Sequence, residues 1–293
     1  MATLRDIRRK IGAVKKTQQI TKAMNMVAAA KLRGAQQRME NFRPYAEAFS
    51  LMLGNLASGV EPEIHPFFQK AAEVNKVGLV LMTADRGLCG SFNVNLITAA
   101  WKFIQEKAAQ DIAVDLTCVG RKGRDFYRRR KYDISRAFID VWNKFDFTNA
   151  IVVGRDVMTD FMAGEVQEVY LIYAQFINVA IQRPVMVKLL PIEPETAAGE
   201  AAEAGPSGEY IFEPPVAQFL EYLLPKYLNT VLYHGFLETS ASEHAARMTA
   251  MDNASNNCKE MITNLTLIMN KARQAAITKE LMDIVGGAEA LKG

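Results

Sequence analysis

Residues 255–276 read SNNCKEMITNLTLIMNKARQAA, and this stretch decides the fold. Apolar or small residues recur in it at strictly alternating spacings of three and four, at Ser255, Cys258, Ile262, Leu265, Met269, Ala272 and Ala276. Such heptad spacing makes a narrow stripe along an α-helix, which is the seam that a second helix covers in a coiled coil. The stretch therefore predicts a long helix with a helical partner.

The predicted partner is the other end of the chain, where residues 3–58 are expected to form one helix. Thr3 and Asp6 have the spacing of a capping box, and Gly59 with Pro62 supplies a stop. Pro44 predicts a bend inside this helix. The expected apolar stripe follows Leu4, Ile7, Ile11 and Val14, and after Gln18 and Thr21 it resumes at Met24, Val27 and Ala28.

The C-terminal helix is expected to be the longer of the two. It is predicted to begin near Pro214 and Pro215 and to stop at Gly286–Gly287, with Pro225 and Gly235 as weak points. At 1.5 Å per residue the two helices measure about 80 Å and about 110 Å. An antiparallel pair projecting from a central domain would leave residues from near Lys271 onward without a partner helix. That end would expose Leu281, Met282, Ile284 and Val285.

The middle of the chain alternates apolar strands with helical stretches, which is typical of a Rossmann-like α/β domain with a mainly parallel sheet. The last two strands are expected to form an antiparallel hairpin at one edge. The predicted strands are Val77–Thr83, Val114–Val119, Ile134–Ile139, Glu168–Phe176 and Pro184–Leu190, and the predicted helices are Phe92–Ala108, Lys122–Lys131 and Phe147–Gly164. The expected segments are residues 1–58, 76–192, an acidic flexible linker at 193–209, and 210–287.

Composition excludes several classes of protein. No apolar run is long enough to span a membrane, the N-terminal segment has no secretion signal, and Cys89, Cys118 and Cys258 are too far apart for a disulfide framework. The histidines lack metal-ligand spacing, so no metal or cofactor is expected. Residues 1–43 carry +9 and the remainder −6. This basic segment predicts an acidic partner, a membrane face or nucleic acid.

Two stretches have residue types found in enzymes. Thr83–Asn93 (TADRGLCGSFN) lies between a strand and a helix as phosphate-binding loops do, but it lacks GxGxxG and GxxxxGK[ST]. A tight turn with Asp85 and Arg86 paired or capping is favoured over a nucleotide site or a Cys89 nucleophile. Ser242, Glu243 and His244 are consecutive, so on a helix they point about 100° apart and make no catalytic relay. A nucleotide-dependent α/β enzyme and a basic coiled-coil adaptor for nucleic acid remain as alternatives.

Several motifs resemble the gamma subunit of F-type ATP synthases over nearly the whole chain. They are IRRKI (7–11), TQQITKAMNMVAAAKLR (17–33), TADRGLCGSFN (83–93), SEHAARMTAMDNASNN (242–257) and NKARQAAITKELMDIVGGAEAL (270–291). The resemblance implies a single-copy, non-catalytic rotor shaft that couples rotation of a membrane c-ring, driven by H+ or Na+, to ATP synthesis or hydrolysis in beta subunits. It also implies a peripheral place on the cytoplasmic face of a bacterial plasma membrane, and no binding of nucleic acid.

The resemblance further implies partners for particular residues. Contacts with the ring of alpha and beta subunits would come from Met24, Arg273, Gln274, Thr278 and Glu280. Contacts with the c-ring and the epsilon subunit would come from Tyr210, Phe212 and Glu213.

Overall fold

A computed structural model describes residues 3–57, 64–193 and 216–290. The helices are α1 (Leu4–Ala57), α2 (Phe92–Ala108), α3 (Arg121–Arg129), α4 (Phe147–Met162) and α5 (Val216–Ala290). The strands are β1 (Lys76–Met82), β2 (Ala113–Val119), β3 (Arg136–Phe138), β4 (Glu168–Phe176) and β5 (Gln182–Leu190). Every predicted element is present in its predicted order, with ends moved by a few residues.

The five strands form one sheet in the order β3-β2-β1-β4-β5. All neighbours are parallel except β4 and β5, which form the predicted antiparallel hairpin. β3 is shorter than the predicted Ile134–Ile139 because it pairs only with the end of β2, from Thr117 to Val119. The sequence-based prediction of a mainly parallel α/β sheet flanked by two long terminal helices is confirmed.

Helices cover both faces of the sheet. Leu81 and Ile172 face a core that α2 and α3 supply with Leu96 and Tyr127. Side chains alternate between the faces of a strand, so the next residues, Met82 and Leu171, face the other way. There they meet α5 at Gly235, where an added Cβ would lie 3.2 Å from Leu171 Cδ2 and 3.4 Å from Met82 Sδ.

The prolines and the glycine singled out in the terminal helices do not interrupt them. α1 continues through Pro44, and α5 continues through Pro225. At Gly235 the missing side chain favours close approach of α5 to the sheet, because an added Cβ would crowd Leu171 and Met82. The predicted stop at Gly286–Gly287 was also wrong, since α5 runs to Ala290.

The chain divides into two compact units. The helix-pair unit comprises Met1–Ala28 and Met248–Gly293, and the sheet unit comprises Ala29–Arg247. Within the sheet unit α1 and α5 run antiparallel, with Phe42 packed edge-on against Tyr233 and Phe49 stacked on Tyr227. The predicted linker beyond Glu193, and with it Tyr210, Phe212 and Glu213, lies outside the described residues.

Candidate functional site

The helix-pair unit begins with the predicted capping box. The Thr3 backbone N–H donates to Asp6 Oδ2 at 3.2 Å, and the Asp6 N–H donates to Thr3 Oγ1 at 3.3 Å. Two free N–H groups at the start of α1 are thereby satisfied. The capping box fixes the residue at which α1 begins, and therefore how much of α5 lies against α1.

Hydrogen bonds from α1 to α5 set the register of the pair. Asn25 Nδ2 donates to the Met248 carbonyl at 2.9 Å, and Gln18 Nε2 donates to the Ser255 carbonyl at 3.5 Å. Seven residues back along α1 correspond to seven residues forward along α5, so the helices are antiparallel. All the seam positions predicted between Ser255 and Ala276 are half-buried. Extended to the first residue of α1, the register places Leu4 near Met269.

Beyond Met269, α5 has no partner helix among the described residues of its own unit. We name residues 270–287 the free helix end. Arg273, Gln274, Thr278 and Glu280 all lie on it and are exposed. Its large apolar side chains are exposed too, with Ile284 at 69% and Leu281 at 56%. The predicted unpartnered helix end with an apolar surface is therefore present.

The apolar stripe of the free helix end does not continue the coiled-coil seam. The next seam positions after Ala276 are Lys279 and Asp283, which are charged. The exposed residues Ile277, Leu281 and Ile284 lie roughly 135° around the helix from the seam. The end of α5 thus presents a surface that is distinct from the one used for pairing.

The exposed face of α1 in the helix-pair unit is basic. Its exposed cations are Arg5, Arg8, Arg9, Lys10, Lys15, Lys16 and Lys22. Met24 is half-buried beside this face. The placement of Val27 in the apolar stripe was wrong, because Val27 is 58% exposed while Asn25 is half-buried and bonded to α5. Because the seam residue Asn25 is polar, the apolar spacing pointed to Val27 in its place.

Thr83–Asn93 forms a tight turn after β1 that its own side chains hold. Asn93 Oδ1 accepts from the Ala84 N–H at 2.9 Å, and Asn93 Nδ2 donates to the Arg86 carbonyl at 3.3 Å. Asp85 Oδ1 accepts from the Arg121 N–H at 2.8 Å and so caps the start of α3. The expected capping role of Asp85 is confirmed, since its carboxylate accepts from the first N–H of α3.

The same turn is bonded to α5. Arg247 donates to the Gly87 carbonyl at 3.2 Å and forms an ion pair with Glu243 at 2.7 Å. Cys89 is buried inside the turn, and burial raises the pKa of its thiol. A thiol that is protonated and out of contact with solvent is a poor nucleophile.

Ser242, Glu243 and His244 do not form a relay. Ser242 Oγ donates to the Ala174 carbonyl at 3.1 Å, and Glu243 pairs with Arg247. His244 Nδ1 lies 3.9 Å from Glu243 Oε2 and makes no hydrogen bond in the described structure. As expected for consecutive helical residues, Ser242 and Glu243 bond to different partners and not to one another.

His244 makes the stability of the chain depend on pH. Burial, with help from Arg247, Lys31 and Arg38, lowers the pKa of His244 to about 4. Above pH 6.5 both folded and unfolded forms are neutral, whereas between pH 6.5 and 4 only the unfolded form gains the proton. Stability therefore falls on acidification across this window, by about 3 kcal/mol from this residue.

We predict that His244→Gln makes the free energy of unfolding depend less on pH between pH 6.5 and 4. Chemical unfolding of the chain between pH 7.5 and 4 measures it. The variant and the wild type should have parallel curves above pH 6.5 and diverge below it. Equal slopes in both ranges would show that His244 is not the group responsible.

Sequence reasoning missed one polar cluster, which lies on α5 in the sheet unit. Glu238, Thr239 and Ser242 are buried and bond to the backbone of β4 at Ala174 and Phe176. In the sequence these residues interrupt the apolar pattern of α5 between Leu237 and Ala245. Polar residues at positions where a helical pattern predicts apolar ones were the sequence signal that a bonded contact should lie there.

No described helix has the length and apolarity that a membrane crossing requires. Among the described residues, no group of His, Cys, Asp and Glu side chains is arranged to hold a metal ion.

The chain is similar to ATP synthase subunits over its whole length. A family model described as ATP synthase matches residues 3–291. The ATP synthase gamma chains of Nitratidesulfovibrio vulgaris Hildenborough and Syntrophobacter fumaroxidans are 53% and 54% identical to this chain, with full coverage of each. The chain belongs to the ATP synthase gamma chain family.

Two solved structures resemble the fold. One is the central stalk and c-ring of the Tetrahymena thermophila mitochondrial ATP synthase, with 29% identity, a TM-score of 0.62, and coverage of 80% of this chain and 99% of that chain. The other is the OSCP/F1/c-ring part of the Euglena gracilis mitochondrial ATP synthase, with 22% identity, a TM-score of 0.70, and coverage of 98% and 94%. The second likeness is one of fold alone.

Proposed function

We propose that this chain is the central rotor shaft of an ATP synthase. It couples ion-driven rotation of a membrane c-ring to conformational change in the beta subunits, which make or hydrolyse ATP. The observation that carries this function is the free helix end of a gamma-family chain. Its exposed apolar stripe lies away from the pairing seam, which suits a helix end enclosed by a ring of other subunits.

We propose that the shaft itself is not catalytic. The turn at Thr83–Asn93 uses Asp85 to cap α3, and Cys89 is buried with a raised pKa. Ser242 bonds to β4 instead of to a base. These side chains are used to hold the structure together, which favours a mechanical role over the nucleotide-dependent enzyme considered above.

The proposed contacts with the alpha and beta subunits lie in the helix-pair unit. Arg273, Gln274, Thr278 and Glu280 are exposed on the free helix end and offer forked or paired hydrogen bonds to loops of beta. Met24 lies beside the basic face of α1, which fits acidic loops by charge. Methionine is flexible and packs against varied surfaces, so it suits a contact that is made and broken in each turn.

The contacts proposed for Tyr210, Phe212 and Glu213 with the c-ring and the epsilon subunit remain proposals from the family resemblance. We also propose that the chain is held at the membrane through these partners, at the cytoplasmic face of a bacterial plasma membrane. One copy per complex is expected, because a shaft occupies the axis of its ring.

Reconstitution with alpha and beta subunits tests the proposed function. We expect a complex that contains one copy of the chain and hydrolyses ATP, and failure to assemble would overturn the proposal. The isolated chain should show no heat of ATP or NAD binding by calorimetry. It should also bind no DNA or RNA at low salt, where a basic adaptor would bind most tightly.

A further inference from the structure

The end of β4 extends beyond its neighbour in the sheet. β1 pairs with β4 up to Leu81 and Ile172, and β1 ends at Met82. β4 continues to Phe176, and on its other side β5 places Pro184, which has no N–H, opposite Ala174. Backbone groups of Ala174 and Phe176 that face away from β5 thus lie past the end of β1.

Three side chains from about one turn of α5 bond to these backbone groups. Thr239 Oγ1 accepts from the Ala174 N–H at 3.3 Å, and Ser242 Oγ donates to the Ala174 carbonyl at 3.1 Å. Glu238 Oε2 accepts from the Phe176 N–H at 2.6 Å. We name Glu238, Thr239 and Ser242 the polar joint.

The polar joint is buried, which makes its bonds costly to break. Glu238 is 4% exposed, and Thr239 and Ser242 are 0% exposed. Burial raises the pKa of Glu238, while the bond from the Phe176 N–H and the charge of Arg43 favour its carboxylate form. Separation of α5 from β4 would leave donors and acceptors unpaired in a place that water does not reach.

Hydrogen bonds restrain motion differently from apolar packing. Apolar attraction is non-directional, so it specifies the position of a helix less sharply than hydrogen bonds do. A hydrogen bond weakens steeply when its angle or distance changes. Two atoms of Ala174 and one of Phe176 are bonded to three side chains between positions 238 and 242 of α5. This arrangement resists both rotation of α5 about its axis and sliding along it.

We propose that the polar joint transmits torque between α5 and the sheet, with Glu238, Thr239 and Ser242 as positioning residues for rotary coupling. The inference rests on the proposed rotor function. The joint lies entirely within the sheet unit, and neither the seam nor the free helix end contributes to it. Weakening it should let catalysis proceed while less of the rotation reaches the ion-translocating part.

The test is the double variant Thr239→Val/Ser242→Ala in the complete complex reconstituted into liposomes. Both changes remove hydroxyl groups and keep similar shapes. The ratio of ATP-driven ion pumping to ATP hydrolysis should fall about threefold or more, and hydrogen exchange at the Ala174 amide should rise about tenfold. Thr239→Val alone makes the same test with a smaller disturbance and should move both readouts in the same directions.

Two controls separate the joint from general destabilisation. Thr230 is also buried on α5, but its Oγ1 donates to the Lys226 carbonyl of the same helix, so Thr230→Val should leave the ratio unchanged. Thr239→Ser keeps the accepting hydroxyl and should retain the ratio as well. An unchanged ratio of pumping to hydrolysis in the double variant, or an equal fall in Thr230→Val, would overturn the proposal that the polar joint transmits torque. A wild-type complex that hydrolyses ATP without pumping would instead overturn the rotor function.

Discussion

Arg273→Ala and Gln274→Ala are each expected to lower the coupled turnover of the assembled complex by about tenfold or more. Both side chains are exposed on the free helix end, where we propose that they contact loops of beta. Arginine is enriched among the few interface residues whose truncation costs about 2 kcal/mol or more, or about 30-fold in an equilibrium constant. Exposed residues with no buried partner change stability by less than about 0.5 kcal/mol. ATP hydrolysis and ion pumping measure the coupled turnover, and thermal unfolding of the free chain measures its stability.

Lys279→Ala is the matched control for these variants. Lys279 is an exposed cation on the same free helix end, but it lies about 120° or more around the helix from Arg273 and Gln274. Its removal should leave turnover within about twofold of the wild type. Unchanged turnover in both the Arg273 and the Gln274 variants would remove them from the contact with beta.

Gly120→Ala is expected to destabilise the chain by about 4 kcal/mol or more. Gly120 has a φ of 105° between β2 and α3, a conformation that side chains rarely adopt. An added Cβ would lie 1.9 Å from the Thr83 carbonyl oxygen, which is backbone that cannot turn aside. Gly120 also donates its N–H to the Phe138 carbonyl at 2.7 Å, so a shift of this corner would disturb β3.

Gly164→Ala separates the steric cost from the conformational cost. Gly164 also has a positive φ, of 72°, but beyond its chain neighbours nothing in the described structure lies within 4 Å of where its Cβ would be. We expect this variant to lose only about 1–2 kcal/mol, the cost of the left-handed conformation for a residue with a side chain. Urea unfolding of both variants measures the difference. Similar losses would mean that contact with the Thr83 carbonyl does not determine the need for glycine at position 120.

The two terminal helices and the sheet were readable from the sequence because each has a repeating signal. Seam residues from Ser255 to Ala276 keep heptad spacing, and the strands are short apolar runs between helical stretches. The free helix end followed from unequal helix lengths and from the capping box at Thr3. These are local or periodic properties, so they do not depend on knowing which distant residues meet.

The errors and omissions arose where distant residues meet. Gly235 looked like a weak point of α5 because its neighbours on the sheet, Met82 and Leu171, are far away in sequence. The polar joint was missed for the same reason, since the sequence near it does not show that β4 extends beyond the end of β1. Val27 was misplaced because the true seam residue, Asn25, is polar and bonds to α5.

The register of the helix-pair unit restricts how the lengths of these helices change in evolution. Because Gln18 and Asn25 meet Ser255 and Met248, inserting one residue in either helix would turn every later side chain by about 100° away from the seam. An insertion of seven residues turns them by only about 20°. We therefore expect length differences between members of this family, within these two helical segments, to occur in multiples of seven and to appear in both helices together.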